Sequence, residues 1–234
     1  MKYLSLLFLS LLISITCAQD YFYEQYGPYD SEIPSPAEYL GYDIGDYHTR
    51  HDRIVSYFEH LASLSDKASL IDYGKTHELR RLVILQVSSA KHLKNLDQHR
   101  FHQLEIIDPT KGFDSKDYKD HPIFVNLGYN VHGNEPSGAE AALLTAYVLI
   151  ASQHPDIVNY RNNSIVFIDP CINPDGRDRH TQWANSMRGT PLVDDPMDAE
   201  HNEMWPRGRT NHYWFDLNRD WLLGVHPELS LIHI

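Results

Sequence analysis

The segment His132-Gly-Asn-Glu135 sets an imidazole and a carboxylate three residues apart, just ahead of an apolar run. Both side chains are good zinc donors, since a catalytic zinc takes nitrogen and oxygen ligands in a compact, open site. Gly133 and Asn134 between them tolerate the backbone angles of a tight turn. Taken alone, the pair is a weak signal and reads better as a polar turn. A second cluster, Asp216-Leu-Asn-Arg-Asp-Trp221, places an acid, an amide and a guanidinium in an aromatic neighbourhood. Asn218 with Arg219 suits a carboxylate, because a guanidinium fork matches two carboxylate oxygens; a loop salt bridge is the plainer alternative. Arg207 and Arg209 flank Gly208. A fixed cation beside a metal can stabilise the oxyanion formed as water adds to a carbonyl, and a solvated basic loop would look the same. Asn173-Pro-Asp-Gly176 has the chemistry of a turn.

The elements around these residues give them a position. Ile123 to Leu127 reads as a buried strand. Ala139, Ala142, Leu143, Ala146, Tyr147 and Ile150 share one helical face, and Pro136 suits the first turn of that helix. Ser164 to Asp169 is a second buried strand, so strand, helix and strand form a parallel pair with a helical crossover. Ligands of such sheets bind beyond the carboxyl ends of the strands, where His132 and Glu135 fall. Upstream, Ile54, Tyr57, Phe58 and Leu61 mark an amphipathic helix. Two strand-like runs follow, Ala68 to Tyr73 and Leu82 to Ser88, joined by a turn-prone stretch. Residues 91 to 121 read as a helix and then a loop, with His92, His99, His102 and His121 in solvent. The expected fold is α/β, with a mixed, mostly parallel central sheet flanked by helices.

The 234 residues carry a formal charge of −12. Met1 to Ala18 has the form of a cleaved secretory signal: a positive start, an apolar run from Leu4 to Ile15, and the small-residue site Thr16-Cys17-Ala18. The run is shorter than the roughly 20 residues needed to span a bilayer. Acylation of Cys17 as a lipoprotein is the alternative. Removing the signal takes away Lys2 and moves the charge to −13, too acidic for a nucleic-acid surface. The mature protein is expected to be secreted, periplasmic or extracellular, without stable membrane insertion. Cys171 is then its only cysteine, so no intramolecular disulfide forms. Residues 19–46 read as a loosely structured lead-in and 47–228 as the N-terminal part of a catalytic domain. Leu-Ser-Leu-Ile-His-Ile at 229–234 is the translation of a transposon mosaic-end adapter, so it is taken as a read-through scar.

In that order, HGNEPSG, NPDG, the arginine-rich loop and DLNRDW resemble the zinc carboxypeptidase family, over about Pro34 to Glu228. The resemblance implies one zinc ion with His132 and Glu135 as its first two protein ligands. It implies Arg209, with Arg207 as rival, as the arginine that polarises the scissile carbonyl. Asn218 and Arg219 would clamp the terminal carboxylate of a peptide or protein substrate, and Asp216 would orient His132. The nucleophile would be a metal-activated water. The family's third ligand histidine, capping tyrosine and general-base glutamate would follow Glu228, so the catalytic domain is expected to be incomplete in this chain and the fragment inactive. His226 comes too early for the third ligand and His233 lies in the suspected scar; neither is assigned to the metal. Two other readings share these motifs: a zinc-dependent N-acyl amino acid deacylase, and a non-catalytic carboxypeptidase-like binding protein.

Overall fold

The computed structural model describes residues 23–111 and 121–230. The signal-like residues 1–18 and the last four residues of the suspected scar lie outside them.

Four strands form one sheet in the order β1 (Ala68–Lys75), β2 (Arg81–Val87), β4 (Ser164–Asp169), β3 (Ile123–Gly128). β3 and β4 run parallel in register from Ile123 opposite Ser164 to Gly128 opposite Asp169. The other two pairings, β1 with β2 and β2 with β4, are antiparallel. The mixed α/β architecture is as expected, but the described strands are not mostly parallel. The reason is the connections: a turn too short to cross over joins β1 to β2, and β3 and β4 are the one paired couple joined directly by a helical crossover.

Helices α1 (Pro36–Leu40), α2 (His51–Leu64), α3 (Ala90–Lys94) and α4 (Leu96–Ile106) precede β3. The crossover to β4 holds α5 (Pro136–Ala151) and α6 (Pro155–Asn163). Ala139, Ala142, Leu143, Ala146 and Ile150 of α5 are fully buried against Ile54, Tyr57, Phe58 and Leu61 of α2 in one core. Each large apolar side chain there contributes about 1.5–3 kcal/mol. The lead-in is less loose than its composition suggests. Ile33 and Leu40 are buried, and Tyr23, Tyr26, Tyr29, Tyr39 and Tyr42 pack on the same core. α1 is held by a capping box between Ser35 and Glu38.

Asn173-Pro-Asp-Gly176 opens a helix rather than forming a free turn. It starts α7 (Pro174–Met187), with the Asn173 side chain accepting from the Gly176 amide at 2.9 Å. The buried positions of α7 are largely polar. Arg177 is completely enclosed: its Nη2 meets Glu140 Oε1 at 2.5 Å, Nε donates to the Thr49 carbonyl at 3.0 Å and Nη1 to the Pro136 carbonyl at 3.1 Å. Glu140 also accepts from the backbone and hydroxyl of Thr49, at 2.7 and 2.8 Å. The pair therefore ties α7 to the first turn of α5. Removing one partner would strand a buried charge, at a cost of about 3–5 kcal/mol.

The histidines of 91–121 are not scattered in solvent. His92 is buried on α3, His99 and His102 lie on α4, and His121 stands just ahead of β3. His92 Nδ1 faces His99 Nε2 at 3.0 Å, and His102 Nδ1 faces His121 Nδ1 at 3.1 Å. The rings of His99 and His121 are 6.0 Å apart, closing the array.

Candidate metal centre

β3 delivers the chain to the turn at 129–135, and α5 begins at Pro136. Glu135 occupies the N-cap position of α5, yet its side chain caps no helical amide. Instead Glu135 Oε1 lies 2.9 Å from Nδ1 of the buried His132. On the other edge of the ring, Nε2 meets Asp216 Oδ1 at 2.8 Å. With the ring proton on Nε2 for Asp216, the Nδ1 lone pair faces a carboxylate oxygen, an arrangement that a cation or a second proton must reconcile. The donors fit a zinc-type ion: a nitrogen and an oxygen converge while a carboxylate fixes the far side of the imidazole. Among the described residues no third histidine, cysteine, aspartate or glutamate completes a ligand group with these two.

Asp216 also organises the residues after it. Its Oδ1 accepts from the Asn218 amide at 3.0 Å, starting the short 3-10 turn Leu217–Arg219, and its Oδ2 accepts from Arg209 Nη2 at 3.0 Å. Burial alone would raise the Asp216 carboxyl, but hydrogen bonds from His132, Arg209 and the Asn218 amide hold it below its ordinary range. Arg209 Nη1 lies 3.6 Å from Glu135 Oε1, so its guanidinium spans both carboxylates that flank His132. Arg207 does not join this group; its carbonyl accepts from Arg179 Nε at 3.1 Å. Asn218 and Arg219 are exposed. Arg219 Nη1 donates to the Asn218 carbonyl at 3.1 Å, and Asn218 Oδ1 accepts from Trp221 at 3.0 Å. His226 lies elsewhere, with Nδ1 3.3 Å from His77 Nε2.

Three glycines let the pieces meet. A Cβ on Gly133 would stand 2.1 Å from the Arg177 nitrogen and 2.6 Å from the Gly208 carbonyl oxygen. A Cβ on Gly176 would stand 2.3 Å from that same oxygen. The metal-facing turn, the start of α7 and the Arg209 loop are thus packed backbone on backbone, which only glycine permits.

Glu203 was not legible from spacing. It sits in an acidic loop of ordinary appearance, yet it gathers Asn134 Nδ2 at 2.8 Å, His180 Nδ1 at 3.0 Å and the Gly208 amide at 2.7 Å. Burial acts to raise its carboxyl, and these three hydrogen bonds outweigh it and lower the value. Size of cavity is no guide here. A 560 Å³ cavity bounded by Arg50, Arg80, Asp178 and Asn185 contains none of the residues above, whereas Glu203 and Arg207 line a smaller one of 240 Å³.

The chain is 27% identical over 214 residues to carboxypeptidase E of Caenorhabditis elegans, covering 84% of this chain and 36% of that relative. It thus spans about a third of that relative's length. Among solved structures it resembles a metallo-carboxypeptidase from Burkholderia cenocepacia, with TM-score 0.45, 16% identity, and 78% of this chain against 36% of that one. It also resembles carboxypeptidase A from Helicoverpa armigera, with TM-score 0.46, 14% identity, and coverage of 92% and 47%. Among the described residues no helix is long and apolar enough to cross a membrane. The zinc carboxypeptidase model matches residues 54–229, from α2 through the Asp216–Arg219 turn, and this chain belongs to the zinc carboxypeptidase family.

Proposed function

We propose that the protein hydrolyses the C-terminal peptide bond of peptides with a free terminal carboxylate, after export, using a zinc ion held by His132 and Glu135. The observation that carries this reading is His132 itself, buried between two carboxylates that face opposite ring nitrogens. When bound, zinc lowers the pKa of a coordinated water so that hydroxide is available near neutral pH.

The residues of this chain then have separable tasks. Asp216 keeps the His132 proton on Nε2, leaving Nδ1 as the donor atom. Arg209, half-exposed and steered by Asp216 and Glu135, presents its guanidinium to the oxygen of the scissile carbonyl as charge builds there. Arg209 is favoured over Arg207 because only its guanidinium reaches the His132 group. Asn218 and Arg219, carried on the turn that Asp216 caps, bind the substrate's terminal carboxylate. Because the chain spans about a third of the length of the curated relative it matches, activity is proposed for the whole protein.

The test uses the full-length gene product on blocked dipeptides with a free or an amidated C-terminus, and on N-acyl amino acids. Cleavage of the free-acid dipeptides is expected. Arg219→Ala should weaken them by about 10- to 100-fold relative to the amides, since a hydrogen bond to a charged group contributes about 1.5–3 kcal/mol. Cleavage of N-acyl amino acids alone would overturn the peptidase reading, and equal losses on free and amidated substrates would remove Arg219 from the clamp.

A further inference from the structure

A second set of donors converges away from His132. His77, in the turn between β1 and β2, joins His226 and Glu228, and a ligand atom from each lies within 4.8 Å of the other two. His77 Nε2 and His226 Nδ1 are 3.3 Å apart. Two imidazole nitrogens on a tetrahedral zinc, each about 2.0–2.1 Å from the ion, stand about 3.3–3.4 Å from one another.

Glu228 supplies the independent sign of a ligand. It is completely buried, and neither carboxylate oxygen has a hydrogen-bond partner. Burying an unpaired carboxylate is costly unless a cation offsets it. The neighbouring Asn211 amide gives Glu228 only a weak interaction, outside hydrogen-bond geometry. Asn211 spends its oxygen on the Tyr213 and Phe215 amides, at 3.0 and 3.1 Å, and points its nitrogen at His226 Nδ1, 3.0 Å away. An ion on that nitrogen would displace the Asn211 amide group. The loop bearing His226 is otherwise well held, because Asp220 accepts from the amides of Val225 and His226 at 3.0 and 2.8 Å.

We propose that His77, His226 and Glu228 form a second site for a divalent transition ion of the zinc type, with two nitrogens and one carboxylate as donors. The ion clips the β1–β2 turn to the segment that follows Asp220. None of its donors belongs to the His132 group, so the site stands whether or not His132 and Glu135 hold an ion.

The experiment titrates metal-free protein with Zn²⁺ alone, reading bound zinc by elemental analysis and affinity by calorimetry. His132→Ala/Glu135→Ala silences the first site, and one equivalent of zinc is expected to remain. Adding His77→Ala, a change in an exposed turn, should weaken that equivalent by about a hundredfold or more, since losing even a supporting partner of a ligand costs about 10- to 100-fold. Melting temperatures provide a second measurement. Glu228→Gln should raise the melting temperature of the zinc-free protein by removing an unpaired buried charge, and should abolish the rise that zinc produces in its parent. The proposal is overturned if the doubly silenced protein binds no zinc, or if His77→Ala leaves its affinity unchanged. It is equally overturned if zinc stabilises the Glu228→Gln variant as much as its parent.

Discussion

The parallel pair β3–β4 has histidines at both ends, in different company. Beyond the carboxyl ends, His132 lies between Glu135 and Asp216, with Arg209 bridging the two acids. Before the amino ends, His92, His99, His102 and His121 face one another, and their fixed contacts are neutral: His92 Nε2 with the Asn162 carbonyl at 2.9 Å, and His121 Nε2 with Gln103 Oε1 at 2.9 Å. Carboxylates beside an imidazole favour a positive charge at that point, whether proton or metal. Imidazoles beside imidazoles disfavour one. Burial and then their histidine neighbours accordingly lower both His99 and His121. The same residue type thus makes a cation-attracting rim at one end and a proton-averse array at the other.

The largest expected effect is at the rim. In the full-length protein, His132→Ala should cut turnover by about a thousandfold or more, because the metal's stabilisation of transition-state charge is worth several kcal/mol. Bound zinc, measured alongside, should fall by one equivalent. His99→Ala in the array should leave both unchanged. Normal turnover with full zinc in His132→Ala would erase the difference between the two ends.

A smaller effect separates the ends by packing. Gly133→Ala forces a methyl group against the Arg177 and Gly208 backbones, so the rim must shift. Overpacking of this kind costs about 1–3 kcal/mol, several degrees of melting temperature in a domain of this size. The half-buried array has no such backbone constraint, and Ala substitution at His102 should cost less. Unchanged stability in Gly133→Ala would show that the three backbones can part without loss.

How much of this was legible in the sequence follows from the physics of each region. β3, α5 and the turn between them announce themselves through apolar periodicity and Pro136, so the position of His132 and Glu135 could be read before any coordinates. α7 could not, because its buried side chains include Asp175, Arg177, His180 and Thr181, and a polar core leaves no apolar stripe. Glu203 and the Arg177–Glu140 pair escaped for the same reason: their roles come from hydrogen bonds between segments distant in sequence. The antiparallel contact of β2 with β4 left no mark in the sequence, because it is long-range and no local turn announces it. The array did leave a trace, since His92, His99 and His102 recur at helical spacing, but His121 joins only through the fold.

The smallest effect is a matter of pH, and its sign can be worked out. His99 and His121 titrate below their ordinary value of about 6.5 in the folded state. Between the folded and unfolded values the unfolded chain binds more protons, so stability rises with pH. Their contribution is intact above about 6.5 and is lost as pH falls toward the folded values. His48, held down to about 4 by burial and by His180, Arg177 and Arg188, adds to the same trend. Asp169 and Glu228, both raised to about 7, act in the opposite sense, because the folded state favours their protonated forms. The overall acid response is therefore a sum of opposing parts, and only a difference isolates the array. His99→Gln keeps a polar side chain and removes the proton site that touches both His92 and His121. Its urea midpoint should drop less than that of the parent when pH is lowered from 7 to 5. Equal drops in the two proteins would place the acid sensitivity in other lowered histidines such as His48, His51 and His77, and the array would lose the electrostatic character that sets it apart from the rim.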